Sequence, residues 1–107
     1  MENQTARQRM IKDIKNNDDR IQVTGYVKDL VENEHFILDD KTGKIRVNIE
    51  DFKLDFKNED LINVIGNLKI SVSGEKSIIP EFIQDMNKLN FAYYEKLYEI
   101  KKELLNQ

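Results

Sequence analysis

Very few side chains in this sequence could carry out chemistry of their own. His35 is the single histidine and there is no cysteine, so thiolate metal sites and cysteine nucleophiles are excluded. His35 could act as a general base, but no serine lies in a recognisable nucleophile motif and no glycine-rich phosphate loop is present. The pair Asp39-Asp40 lacks a further carboxylate placed to complete a hard-metal site, and before a Lys-Thr-Gly sequence it is typical of a turn. We therefore expect no catalytic residue, no metal and no cofactor.

Length and composition fit one compact domain. The 107 residues, 39% of them hydrophobic, suffice for a single core. No apolar run is long enough to span a membrane and the N-terminus shows no targeting signal, so we expect an intracellular protein without a membrane partner. A net charge of −3 argues against a strongly basic, indiscriminate nucleic-acid binder, although cations can still be concentrated on one face.

Three runs of alternating apolar and polar residues follow one another between Arg20 and Ile49. This period of two is that of β-strands with one buried face. The segment from Asp40 to Gly43 predicts a tight turn between the second and third runs, with Gly43 supplying the backbone freedom. A three-strand meander opened by a glycine-interrupted strand is typical of small nucleic-acid-binding barrels. The predicted inward residues are Ile21, Val23, Val27, Phe36, Leu38, Ile45, Val47 and Ile49.

Two further strands complete the predicted barrel. The segment Asp60–Ser71 alternates in the same way, with Gly66 in its interior as Gly25 is in the first strand. Interior glycines of this kind mark the bends where a small barrel closes. A hairpin loop then leads to a fifth strand, Lys76–Ile79, which Pro80 ends or pushes to a sheet edge.

The remainder of the chain predicts an amphipathic helix capped by Asp85. Its apolar residues form two stripes about 120° apart, at about 3.6 residues per turn. The first stripe contains Met86, Leu89, Tyr93, Leu97, Ile100 and Leu104, and the second contains Phe91, Tyr94, Tyr98 and Leu105. One barrel covers only one stripe well, so the second stripe either packs in its own domain or is a partner-binding face, for which exposed aromatic residues are favoured anchors. The predicted partner-binding residues are Phe91, Tyr94, Leu97, Tyr98 and Leu105.

The order of these segments resembles a known family. The sequences IKDI from Ile11, RIQVTGYVKDLVENEHFILDDKTGKIRV from Arg20 and SIIPEFIQDMNKL from Ser77 resemble the OB domain of the middle subunit of replication protein A. They are also similar to the related small subunits of archaeal single-strand-binding and telomere-capping complexes. The resemblance covers about Met10 to Leu105, and its most specific pieces are the turn at residues 39–43 and the strand-to-helix junction at 79–87.

The resemblance implies an all-β, five-stranded OB-fold barrel with a C-terminal α-helix. Residues 18–84 would form the barrel and residues 85–107 the helix, while residues 1–17 would be either flexible or an extension of the first strand. In that family the barrel binds single-stranded nucleic acid across its second and third strands and the two flanking loops, and the helix packs against helices of sister subunits. The implied function is therefore a non-enzymatic subunit of a single-stranded-DNA-binding complex in DNA replication or repair.

Partners follow from the same resemblance. They would be single-stranded DNA, bound with modest affinity, and sister OB-fold subunits or a second copy, bound through the helix. The protein would act in the nucleus of a eukaryote, or in the cytoplasm and nucleoid of an archaeon. Two alternatives stay open: a stand-alone binder of single-stranded DNA or RNA, and a pure protein-interaction OB module without nucleic-acid binding.

Carried onto this sequence, the groove is lined mainly by outward positions of the first three strands. Binding a single strand requires cations for the phosphates and flat side chains for the bases. The chain has no tryptophan and no aromatic residue in the loop Ser71–Glu75, and each lost stacking contact is worth on the order of 1–3 kcal/mol. The predicted nucleic-acid-binding residues are Tyr26, Lys28, His35, Lys44, Arg46, Asn48, Phe52, Lys69 and Lys76.

Overall fold

The computed structural model describes residues 6–50, 56–88 and 90–105, which form six strands and one helix. The last five strands are those expected from the sequence, and a short strand precedes them. The elements are β1 (Arg7–Gln8), a 3-10 turn (Ile11–Asp13), β2 (Arg20–Val31), β3 (His35–Asp39), β4 (Lys44–Asn48), β5 (Leu61–Ile70), β6 (Lys76–Asp85) and α1 (Phe91–Leu105).

The barrel closes on β2, which is long enough to pair with two strands. Its first half pairs antiparallel with β5, from Arg20 to Tyr26, and its second half pairs antiparallel with β3. β3 continues antiparallel to β4, β4 runs parallel to β6, and β6 returns antiparallel to β5. The strand order β2-β3-β4-β6-β5 therefore closes on itself. The predicted OB-fold barrel with a C-terminal helix is confirmed.

Period-two alternation accounts for the core. All eight inward residues predicted for the first three strands are at most 5% exposed, and Ile62, Val64 and Ile78 from β5 and β6 complete the same cluster. The ring of Phe36 meets that of Phe56 edge to face, with 5.5 Å between centroids. Burial of these large apolar side chains is the main favourable contribution to folding.

β6 is longer than the strand predicted from the sequence. It continues through Pro80 to Asp85, with a change of register against β5 where Pro80 pairs with Gly66. The pairing with β4 reaches only to Ile78, so Pro80 lies where β6 is paired on one side and its missing N–H is tolerated. A Cβ on Gly66 would collide with the backbone of Ile79 and Pro80. The prediction that Pro80 ends the strand is wrong, and the alternative that it lies at an edge is correct.

The turn between β3 and β4 is built around the buried carboxylate of Asp40. Its Oδ1 accepts hydrogen bonds from the backbone N–H groups of Thr42 (2.9 Å) and Gly43 (3.2 Å), and its Oδ2 accepts one from Ile11 (2.7 Å). Turn chemistry at this position is therefore confirmed. The residue with a positive φ is Lys41, at 72°, and not Gly43. A Cβ on Gly43 would instead lie 2.9 Å from the side chain of Ile11, so one of the two would have to shift.

The described part of the N-terminal segment is tied to the barrel. Arg7–Gln8 pairs in parallel with β2, and the side chain of Met10 is buried. The guanidinium of Arg9 donates two hydrogen bonds to the carboxylate of Asp18, at 2.9 and 3.0 Å. Burial alone raises the pKa of Asp18, but the hydrogen bonds from Arg9 and from a backbone N–H outweigh it and lower that pKa. From residue 6 onward, the segment is therefore held against the barrel by strand pairing and a buried side chain.

The helix begins at Phe91 instead of Asp85. Asp85 is the last residue of β6, where it pairs with β5, and its Oδ1 accepts a hydrogen bond from the N–H of Asn87 at 2.8 Å. Asn90 caps the helix, since its Oδ1 accepts a hydrogen bond from the N–H of Tyr93 at 3.1 Å. The prediction that Asp85 is the cap is wrong because sheet pairing continues further than the proline suggested.

Candidate nucleic-acid interface

The outer faces of β2, β3 and β4 form one surface, which we call the strand face. Cross-strand neighbours project to the same side of a sheet, and the register aligns Lys28 with Ile37 and Ile37 with Arg46. It likewise aligns Tyr26 with Asp39 and Asp39 with Lys44. The strand face consists of Tyr26, Lys28, His35, Ile37, Asp39, Lys44, Arg46 and Asn48.

One end of the strand face opens into a groove beside the loop between β5 and β6, which we call the loop groove. Its volume is about 440 Å³. Lys44, Arg46 and Lys76 line it, and Glu75 is its single acidic lining residue among those that the structure describes. The other lining residues are Ile11, Ile14, Ile37, Ile45 and Gly74. The groove therefore combines a net positive charge, which favours phosphate groups, with an apolar surface of isoleucines.

A second groove, of about 690 Å³, lies beside the β3–β4 turn, and we call it the turn groove. Lys44 lines both grooves. Here the charges are nearly balanced, because Asp39 and Glu59 oppose three lysines. Lys28 donates a hydrogen bond to Glu59 at 2.7 Å, which raises the pKa of Lys28. The lining consists of Tyr26, Lys28, Asp39, Lys41, Thr42, Gly43, Lys44 and Glu59. The loop groove is thus the more cationic of the two.

Tyr26 connects the strand face to the helix. Its ring meets that of Phe91 edge to face, with 5.3 Å between centroids. The ammonium group of Lys41 lies 5.3 Å from the centroid of the same ring, within the range of a cation–π contact. Tyr26 is half-buried, so only part of its ring is open to a stacking base.

His35 and Asn48 are paired across β3 and β4 at the other end of the strand face. The Nε of Arg46 donates a hydrogen bond to Oδ1 of Asn48 at 3.0 Å, which holds the guanidinium along β4. Nδ1 of His35 is buried without a hydrogen-bond partner among the described residues, 4.0 Å from the carboxylate of Glu34. Within the same described ranges, no group of three or more His, Asp or Glu residues could hold a metal ion.

Two predicted binding residues are not part of this arrangement. Lys69 is exposed on β5 opposite Ser77 and lines neither groove. Phe52 lies outside the described residues. Conversely, the prediction omitted Asp39, Lys41 and Glu59. The alternation of β3 could have indicated Asp39, whereas Lys41 and Glu59 reach the turn groove from connections whose placement depends on the tertiary structure.

The second apolar stripe of the helix packs on the chain's own barrel. Phe91 and Tyr98 are each 7% exposed, and the hydroxyl of Tyr94 accepts a hydrogen bond from Nε2 of Gln8 at 2.9 Å. Phe91 and Tyr98 therefore pack within the domain and are not exposed as the partner-face prediction requires, whereas Tyr94 is half-buried beside Gln8. The cause is the N-terminal segment, which adds a surface for the helix that the barrel alone does not offer. The side chain of Leu105 lies outside the described part.

Asp13 anchors the middle of the helix. Its carboxylate accepts hydrogen bonds from the hydroxyl of Tyr98 at 3.1 Å and from Nζ of Lys102 at 3.0 and 2.9 Å. Burial alone raises the pKa of Asp13, but the hydrogen bonds from Lys102 and Tyr98 outweigh it and lower that pKa. Lys12 and Glu99 form a further ion pair at 3.0 Å. Both charged and aromatic contacts thus fix one side of α1 to the domain.

The opposite side of α1 carries exposed apolar residues, which we call the outer stripe: Tyr93 (61% exposed), Leu97 (40%), Ile100 (48%) and Leu104 (66%). They belong to the first predicted stripe. Of the predicted partner-binding residues, only Leu97 belongs to this stripe. These four side chains form an exposed apolar row along the helix. Over the described residues, no helix is long and apolar enough to cross a membrane.

Comparison with known proteins shows the fold. No protein-family model and no curated protein matches the chain. A chain of a replication protein A heterotrimer bound to single-stranded DNA superposes with a TM-score of 0.68 and 19% identity, over 81% of this chain and 73% of the other. A chain of the Stn1–Ten1 complex of S. pombe gives a TM-score of 0.73 and 16% identity, over 92% and 93%. The telomere capping protein Ten1 of the same yeast gives 0.71 and 16%, over 92% and 99%. The predicted resemblance is thereby confirmed at the level of the OB fold.

Proposed function

We propose that this protein is an OB-fold subunit of a replication-protein-A-like complex that binds single-stranded DNA during replication or repair. The observation that carries the proposal is the loop groove, in which Lys44, Arg46 and Lys76 converge beside Ile37. The groove lies between the β3–β4 surface and the β5–β6 loop, the location at which OB folds bind oligonucleotides. Binding, and not catalysis, is the activity that these residue types support.

The outer stripe supports the second part of the proposal, which is assembly into a complex. The helix is held to the barrel through Phe91, Tyr98 and Asp13, so the outer stripe is presented on a rigid element. Rigid presentation reduces the entropy lost on association. The proposed complex is intracellular, with DNA in the loop groove and protein partners on the outer stripe.

Fluorescence anisotropy of a labelled oligothymidylate tests the DNA-binding part. Three phosphate contacts predict a slope of about −2 for the logarithm of the affinity against that of the salt concentration. The double variant Lys44→Glu/Arg46→Glu should weaken binding by at least about ten-fold and reduce the slope by about 1.4. An RNA strand of the same length, titrated in parallel, distinguishes a DNA-preferring subunit from a general single-strand binder.

The matched control is Lys101→Glu, which makes the same charge change on the exposed side of the helix. Its affinity should stay within about two-fold of the unmodified chain, because its charge is remote from the groove and screened by salt. If the unmodified chain binds no oligonucleotide at low salt, the DNA-binding proposal is wrong and the chain is a protein-interaction module. Equal losses in the control and the double variant would also contradict the assignment of the loop groove.

A comparison of two lysines sharpens the location of the site. Lys69 and Lys76 both flank the β5–β6 loop, but only Lys76 lines the loop groove. Lys76→Glu should therefore weaken binding several-fold, whereas Lys69→Glu should have a small effect. The reverse order would move the DNA path to the outer face of β5 and β6.

A further inference from the structure

The outer stripe has a spacing that is symmetric about its own centre. Its residues Tyr93, Leu97, Ile100 and Leu104 are separated by four, three and four positions. Reading the stripe backwards therefore gives the same pattern. Two such helices laid antiparallel would place Tyr93 against Leu104 and Leu97 against Ile100, twice each, over about 16 Å at about 1.5 Å per residue. This is the geometry of a short antiparallel helix pair with a two-fold axis.

The charges beside the outer stripe show the same complementarity. Lys96 and Glu103 are both exposed, and seven residues of separation, about two turns, bring them to the same flank of the stripe. In the antiparallel arrangement this flank meets itself, so Lys96 of one copy lies beside Glu103 of the other, twice by symmetry. Charges flanking a helix seam set the orientation of the pair.

A parallel arrangement lacks this complementarity. The flank with Lys96 and Glu103 would then face the opposite flank of the second helix, whose exposed charge is Lys101. In a parallel pair, a residue on one flank meets the residue five positions later on the other flank of its partner. Lys96 would therefore meet Lys101, and like charges would oppose association.

From these observations, we propose that a second copy of this chain docks on the outer stripe, helix against antiparallel helix. The inference rests on the proposed function, since it names the partner at the assembly face. The contact is isologous, so each copy uses the same residues. Because a pair of short helices is smaller than a standard protein interface, the dimer is expected to be reversible and to depend on concentration. Each dimer would carry two loop grooves.

Sedimentation equilibrium of charge variants tests the register. The unmodified chain should show a monomer–dimer equilibrium. Lys96→Glu and Glu103→Lys should each weaken it by at least ten-fold, because each variant places like charges together twice. An equimolar mixture of the two variants should dimerise again, since a glutamate of one variant would meet a lysine of the other in both contacts. The control Lys101→Glu makes the same charge change as Lys96→Glu, but on the flank that carries no complementary acid. It should leave the monomer–dimer dissociation constant within about two-fold of that of the unmodified chain.

Disulfide formation tests the orientation independently. The chain has no cysteine, so single introduced thiols are unambiguous. In the antiparallel pair, Leu104→Cys lies about 16 Å along the axis from its copy, beyond the reach of a disulfide, and should not cross-link with itself. A mixture of Tyr93→Cys and Leu104→Cys should cross-link. Circular dichroism of each variant verifies that the helix is retained.

Two results would overturn the inference: a chain that stays monomeric at high concentration, or Leu104→Cys that cross-links rapidly with itself. Both can be separated from a failure of the proposed function by the oligonucleotide titration. A monomeric chain that binds single-stranded DNA retains the proposed function and loses only the second-copy partner. A dimer with the predicted register that binds no nucleic acid retains the inference and contradicts the proposed DNA binding.

Discussion

The two sides of α1 have similar residue types but opposite environments. The inner side, with Phe91 and Tyr98, is buried against the barrel and the N-terminal segment, whereas the outer side, with Tyr93 and Leu97, is exposed. Both stripes contain tyrosine together with large apolar residues at helical spacing. An apolar helical stripe therefore does not reveal by itself whether it belongs to a core or to an interface. The difference arises from what the rest of the chain places beside it, here above all Asp13.

The largest effect should come from truncating the inner side. Phe91→Ala removes a buried ring that packs on Tyr26 and Tyr94, so we expect the free energy of unfolding to fall by about 3–5 kcal/mol. Tyr93→Ala, on the exposed side, should change it by no more than about 0.5 kcal/mol. Urea unfolding followed by circular dichroism measures both. Equal losses for the two variants would remove the distinction between the sides.

Asp13→Asn should have an intermediate effect that depends on pH. Burial opposes ionisation of Asp13, but its hydrogen bonds from Lys102 and Tyr98 lower its pKa in the folded state. A carboxylate with a lowered pKa contributes stability above its unfolded pKa, about 3.9, and loses it as the pH falls through the folded value. The unmodified chain should therefore be more stable than Asp13→Asn near pH 7. The difference should shrink as the pH falls below about 4 and disappear only below the lowered pKa of the folded state. Urea midpoints over this pH range provide the measurement, and a difference that persists in acid would contradict the role of the ionised carboxylate.

A small effect on stability is also expected for Leu97→Asp on the outer stripe. Leu97 is 40% exposed, and the lower helix propensity of aspartate costs less than about 1 kcal/mol. The same variant should abolish self-association, because it places a charge in the centre of the proposed helix pair. Unfolding and light scattering on one preparation test both expectations. A large loss of stability would mean that the outer side also supports the fold.

Much of the barrel follows from local pattern. Alternation of period two assigned the inward residues of the first three strands correctly, including Phe36 and Val47, because a strand with one buried face leaves no other arrangement. The Asp-Asp-x-Thr-Gly sequence likewise indicated its turn. Predictions that relied on one residue were less successful: Pro80 does not end its strand and Asp85 does not cap the helix. In both cases pairing with β5 outweighed a local preference.

In the candidate site, too, local pattern accounts for some residue positions and tertiary pairing for the others. The sequence placed Lys44 and Arg46 on one face because they are separated by two positions of a strand. It placed Lys76 beside them only through the family resemblance, since β4 and β6 meet through a parallel pairing between distant segments. It could not indicate that Glu59 reaches Lys28, or that Lys69 lies away from both grooves.

The sequence by itself determined the barrel class, its inward residues and the presence of a two-sided helix, since these depend on periodicities of the backbone. Only the tertiary structure decided which side of α1 is buried. That choice depends on β1 and the 3-10 turn, which bring Gln8 and Asp13 against the helix. Their contacts span more than eighty positions along the chain. Such contacts form because closing the barrel brings these segments together, and no local pattern records that proximity.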